Sequence, residues 1–112
     1  MIKYLLAIKG GETLSEADMK RFIEEHMRLG ADLARQGKLV DSNPLGPTAE
    51  TVRIKATRDG GRQVIDGPFA ETKELLGGYY VIEAASTDEA VEWAKRIPLT
   101  TGSVEVYRIS KM

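Results

Sequence analysis

The chemistry open to this chain of 112 residues rests on one histidine, one charged nonapeptide and a pair of tyrosines. His26 is the sole imidazole. It falls midway between Met19 and Leu33, on the apolar stripe of a helical segment rather than its wet face. Histidine titrates nearest neutral pH and can act as general acid, general base or ligand. A half-buried histidine satisfied by a backbone carbonyl is the commoner arrangement for a lone histidine on an apolar face, and spacing alone leaves both readings open. The stretch from Asp66 to Glu74 reads D-G-P-F-A-E-T-K-E. Its first half has a structural explanation: Asp66 can accept from backbone amides, Gly67 permits positive φ, Pro68 stiffens the exit and Phe69 plugs the core. Its second half is not explained that way. Glu71 and Glu74 would lie one helical turn apart, with Lys73 between them. Such carboxylates bind a cation, do acid–base work or face water, and as a charge cluster alone they more often face water. The functional alternative places substrate contacts at Glu71, Lys73 and Glu74. Tyr79 and Tyr80 point to opposite faces of a strand. One belongs to the core; the other is expected on the dimer-facing surface, offering its hydroxyl to a ligand.

Other chemistries are excluded or weakly supported. The chain has no cysteine, which removes disulfides, thiolate metal sites and cysteine nucleophiles. With one histidine and no Asp-x-Asp or His-x-x-x-His spacing, a resident metal is poorly supported; carboxylates here would hold Mg²⁺ only with a substrate phosphate. No cofactor is implied. No glycine run has phosphate-loop spacing, and no serine sits in a nucleophile elbow. The formal charge is -1, so no global field favours nucleic acid or an acidic membrane. Arg53, Lys55 and Arg58 form a mildly basic strand without neighbouring aromatics, which makes nucleic acid an unlikely partner. The longest apolar run, Leu5 to Ile8, is too short to span a bilayer. The N-terminus has no leader pattern, and a cytoplasmic protein is expected.

The elements that must position these residues follow from pattern. One domain is expected over residues 1–112. Ile2 to Lys9 is rich in β-formers and stops at Gly10-Gly11. Ser15 with Asp18 makes an N-terminal cap, and Met19, Phe22, Ile23, Leu29 and Leu33 make a helical stripe that Gly37 ends. Lys38 to Ser42 is a short extended piece before Pro44-Leu45-Gly46-Pro47. Thr51 to Thr57 alternates as a strand with one wet face, Asp59-Gly60-Gly61 turns, and Arg62 to Ile65 returns. Tyr79 to Ala85 is a strand apolar on both faces. Ser86 and Glu89 cap a second helix, Thr87 to Arg96, with Ala90, Val91, Trp93 and Ala94 as its buried side; Pro98 prevents its continuation. Ser103 to Ile109 is the last strand. The order predicts an α+β, ferredoxin-like antiparallel sheet with two helices on one face and an inserted β-hairpin.

Two helices cover only one face of such a sheet. The opening strand and Tyr79 to Ala85 nonetheless carry apolar residues on both: Leu5 and Ala7 oppose Leu6 and Ile8, and Val81 opposes Tyr80 and Ile82. Bare apolar surface of this kind favours association at roughly 25 cal/mol per Å². A homodimer formed sheet on sheet is the expected cover. The alternative is that the hairpin and the nonapeptide fold back over that face.

The nonapeptide resembles the signature of the DGPF branch of the YCII-related proteins. The likeness extends over nearly the whole chain: the His26 helix with its Gly37-Lys38-Leu39 and Gly46-Pro47 exit, the G-G-Y strand at Gly77-Gly78-Tyr79, Asp88 to Ala94, and Val104 to Arg108. It implies a dimeric α+β barrel in which a histidine on the first helix is an active-site residue, here His26. The family's partner acid precedes the proline that ends helix two; here that position is Ile97, so Asp66 becomes the candidate that orients His26. The resemblance further implies either a small enzyme, with His26 and Asp66 catalytic and Tyr79 or Tyr80 placing a small organic substrate, or a non-catalytic ligand-binding or regulatory module associated with an extracytoplasmic-function sigma factor.

Overall fold

The computed structural model describes residues 1–10, 14–46, 50–67 and 76–111. The elements run β1 (Ile2–Lys9), α1 (Glu16–Arg35), β2 (Leu39–Pro44), β3 (Val52–Ala56), β4 (Arg62–Asp66), β5 (Leu76–Ala84), α2 (Thr87–Ala94) and β6 (Ser103–Arg108). Four strands form the main sheet in the order β2-β5-β1-β6, and every pairing in it is antiparallel. With α1 and α2 as the crossovers, this is the ferredoxin-like α+β arrangement. The extended piece after α1 is longer than its sequence suggests. It runs to Pro44 as the edge strand β2, with a register irregularity between Leu39 and Asp41.

Local chemistry explains the element ends. The Ser15 hydroxyl accepts from the Asp18 amide, with Glu16 and Asp18 in the first turn of α1, where acids meet the positive end of the helix dipole. Gly37 leaves the helix at φ 70°. Ser86 repeats the cap on α2 by accepting from Glu89 N. At the start of β6, Gly102 adopts φ 88°, and a Cβ there would collide with the Lys9 carbonyl oxygen. Only glycine lets β6 approach β1 that closely.

The core lies between the helices and one sheet face. Register puts Tyr4 opposite Ile82 and Leu6 opposite Tyr80. These side chains pack with Leu29 and Leu33 of α1 and Ala90, Trp93 and Ala94 of α2. The helical stripe of α1 does not all reach this core. Leu29 and Leu33 are buried, whereas Met19 and Ile23 are exposed and Phe22 is half-buried. The amino-terminal half of α1 stands off the sheet, and a cleft opens beneath it.

The inserted hairpin β3–β4 is a separate two-stranded sheet. Asp59 organises its turn, accepting from the Gly61 amide and the Thr57 hydroxyl. Alternation along β3 predicts one wet face and one covered face, yet Val52, Ile54 and Val64 are more than half exposed, because no element described in this chain packs over them. The radius of gyration is 16.2 Å, against about 13 Å for a compact chain of this length. The open face of the main sheet carries Leu5, Ala7 and Val81 among polar groups. There the Tyr79 hydroxyl donates to Asp41 at 2.8 Å and accepts from Asn43 at 2.9 Å, and Lys9 pairs with Glu105 at 2.6 Å. No helix among the described residues is long and apolar enough to cross a membrane.

Candidate functional site

Beneath the raised half of α1 lies a cleft of about 770 Å³, within the usual size range of small-molecule sites. Its roof includes Phe22, Ile23 and Met27, and its floor includes Ile8, Gly78 and Tyr80. His26 projects into it from α1. The periodicity that reads as core in sequence is here partly the lining of a cavity, which needs the same apolar side chains.

A hydrogen bond spans the cleft wall. His26 Nδ1 lies 2.6 Å from the Tyr80 hydroxyl. Ser42, paired directly with Tyr80 across the β2–β5 ladder, also lines the cleft, and its hydroxyl partly offsets the rise that burial causes in the Tyr80 pKa. The backbone carbonyl of His26 is more distant, at 3.5 Å. The His26 ring is held between two aromatics: Phe22 meets it edge-on at 4.7 Å and Tyr80 stacks on it at 5.8 Å. Burial lowers the His26 pKa, with the nearby Glu25 carboxylate opposing in part, so the neutral ring dominates at neutral pH.

Two proton arrangements satisfy this bond. In one, the Tyr80 hydroxyl donates to Nδ1. His26 then carries its proton on Nε2 and can act as an acid. In the other, Nδ1–H donates to the tyrosine oxygen and Nε2 keeps its lone pair as a base. The two differ in the direction of the same hydrogen bond. A group that takes a proton and later returns it needs such a pair of states.

The remaining sequence candidates are placed as follows. Tyr80, on the helix face, is the tyrosine that reaches His26. The hydroxyl expected near His26 is thus that of the tyrosine on the core face, beneath α1, and not that of the tyrosine on the open sheet face. Tyr79 turns its hydroxyl to the opposite face. Asp66 closes β4, paired across the hairpin with Val52, and it is exposed and does not line the cleft. Phe69, Glu71, Lys73 and Glu74 lie outside the described residues. Two site residues escape sequence reasoning. Ser42 becomes visible only through the β2–β5 register. Gly30, one turn beyond His26, is masked by its position inside a helix.

The YCII-related domain matches residues 2–112 of the chain. The chain belongs to the YCII-related family. An uncharacterised protein of Rhizobium meliloti (strain 1021), R00369, is similar to it at 45% identity, with 74% of this chain and 74% of that protein covered. Neither the YCII-related description nor the name of this relative states a reaction, so the chemistry has to come from the cleft. Among the described residues no group of three His, Cys, Asp or Glu side chains converges as a metal site.

Proposed function

We propose that this YCII-related protein is a small acid–base enzyme that moves a proton on a small organic molecule, with His26 as the catalytic group and Tyr80 as the residue that orients its ring. The observation that carries this reading is the 2.6 Å bond between His26 Nδ1 and the Tyr80 hydroxyl at the wall of a ligand-sized cleft. It leaves Nε2 as the ring nitrogen available for chemistry. In a single chain Tyr80 holds the orienting position at Nδ1. A catalytic part for Asp66 rests on the DGPF resemblance, as do substrate contacts from Glu71, Lys73 and Glu74. Tyr79 also lines the cleft, with its hydroxyl held by Asp41 and Asn43.

The test uses 2-tetralone and acetoacetate as enolisable probes in D₂O. Deuterium uptake beside the carbonyl is followed for wild type, His26→Asn and Tyr80→Phe. Wild type is expected to accelerate uptake on at least one probe, and His26→Asn to lose about 10²-fold or more of that acceleration. Uptake no faster than in buffer, or unchanged in His26→Asn, sinks the reading.

The working unit in this proposal is a cytoplasmic homodimer of the α+β barrel type, joined through the open sheet face. Support comes from Leu5 and Val81 on that face and from the bare Val52, Ile54 and Val64 of the hairpin. The same bare hairpin supports a second reading, a regulatory module that docks on another protein such as an extracytoplasmic-function sigma factor. Co-purification from the native host separates the two: a dimer that brings down no transcription protein counts against the second.

A further inference from the structure

The described lining of the cleft bears on the chemical class of its ligand. Among its described lining residues there is no Asp, Glu, Lys or Arg. A charged ligand set against these described residues would surrender its hydration without a countercharge from them, and the penalty for burying an unpaired charge is severe. Ser42, Asn43, Thr100 and Thr101 add neutral polar groups to the Tyr80–His26 pair, and the remaining described lining is mainly apolar. Neutral hydrogen-bonding groups on otherwise apolar walls suit an uncharged, mainly apolar molecule.

Gly30 adds an independent observation. It lies in the interior of α1, where glycine is the least favourable residue other than proline. It lines the cleft, and a Cβ built on it meets nothing within 4 Å. Close helix packing therefore does not require this glycine. What it preserves is open space one turn from His26, on the same face of the helix.

We propose that the cleft takes an uncharged, mainly apolar molecule, one hydrogen-bonding group of which meets the Tyr80–His26 pair and whose body fills the space kept open by Gly30. This deepens the acid–base reading and rests on it for the site, but it concerns binding and can fail separately. Lowered basicity of His26 through burial agrees with it, since a neutral imidazole offers no charge to an anion.

The sole histidine gives an unambiguous probe: the ¹⁵N and ¹H resonances of the His26 ring. Four compounds with one ring system are titrated near neutral pH: 2-naphthol, 2-naphthoate, 2-naphthyl phosphate and 2-naphthylmethylammonium. The neutral naphthol is expected to shift the His26 signals saturably and to bind at least about tenfold more tightly than any charged analogue. Gly30→Leu is expected to weaken naphthol at least about tenfold, while the free-state His26 signals keep their wild-type tautomer pattern. Equal or tighter binding by a charged analogue overturns the proposal. Binding of the phosphate that is lost in Lys73→Ala would overturn it in favour of the charged nonapeptide. Failure of naphthol to bind at its solubility limit, or undiminished affinity in Gly30→Leu, overturns it as well. Naphthol binding without His26-dependent deuterium uptake on either probe would sink the acid–base reading and leave the ligand class standing. Deuterium uptake confined to acetoacetate, with naphthol unbound, would do the reverse.

Discussion

The Tyr80 hydroxyl sits 2.6 Å from His26 Nδ1, joining residues 54 positions apart in sequence. The bond ties the raised half of α1 to β5. It therefore has two consequences, one for the orientation of the imidazole and one for the position of the helix that roofs the cleft.

Tyr80→Phe separates these consequences. The phenyl ring keeps the stack against His26 and the packing beneath it, but Nδ1 loses its partner. An unsatisfied, partly buried nitrogen costs about 1–2 kcal/mol, which urea unfolding should register. The ¹⁵N shifts of the single imidazole should move, because the partner of Nδ1 is gone. Unchanged shifts would mean that the bond to Tyr80 does not form in solution.

Stability should also depend on pH through His26. Its folded-state pKa lies below the ordinary 6.5 because burial disfavours the charged ring. The unfolded chain therefore binds more protons between pH 6.5 and the lower folded value, and stability rises with pH across that window. The contribution is complete above pH 6.5 and falls away as the solution is acidified towards the folded pKa. The difference between wild type and His26→Gln in unfolding free energy isolates it from the carboxylates. A flat difference through that window, or one of opposite slope, contradicts the burial argument.

Helix α1 shows how far the sequence carries and where it stops. Its caps, length and exit at Gly37 are legible because they depend on neighbours in the chain. The stripe from Met19 to Leu33 is legible as apolar, but a core and a ligand cleft require the same residues at the same spacing. The choice between them is made by the β5 floor, where Gly78 offers no side chain to fill the gap. Ser42 was illegible for a similar reason: its role is fixed by a ladder partner 38 positions away, and a serine near a turn has many local explanations. The hairpin was legible in its strands and turn, but not in its separation from the main sheet, since alternation reports that a face is apolar and not what covers it.

Two truncations on α1 should behave differently. Leu33 is fully buried, so Leu33→Ala should cost about 2–5 kcal/mol through lost burial and a cavity. Met27 is 69% exposed at the cleft roof, so Met27→Ala should change stability by no more than about 0.5 kcal/mol while weakening 2-naphthol. Equal costs in chemical denaturation would mean that the amino-terminal half of α1 is packed down in solution.

Gly30→Ala should raise stability. The φ of Gly30 is not positive, and its Cβ site is empty. The substitution therefore gains helix propensity and restricts the unfolded chain, by about 0.5–1 kcal/mol, or a melting temperature higher by a few degrees. A residue that weakens its own helix without steric need is explained by the space it leaves. Lower stability in Gly30→Ala would show that the backbone there has a different requirement.

The apolar surface left bare can be assigned by placing a charge on each part in turn. Val81 lies on the open sheet face opposite Leu5 in the ladder, and Ile54 lies on the hairpin opposite Val64. If sheets stack in the dimer, Val81→Asp buries an unpaired carboxylate at the interface and should give monomers in analytical ultracentrifugation. Ile54→Asp tests whether the hairpin contributes. Ile54 is 67% exposed in the single chain, so its replacement should leave the circular dichroism and the monomer fold intact. Any loss of dimer in Ile54→Asp would then report an intermolecular contact. A hairpin that packs on the second copy predicts monomers from both variants, whereas a purely sheet-to-sheet interface predicts monomers from Val81→Asp alone. A protein that sediments as a monomer before any substitution removes the dimer from the proposal and leaves the bare hairpin to a different partner.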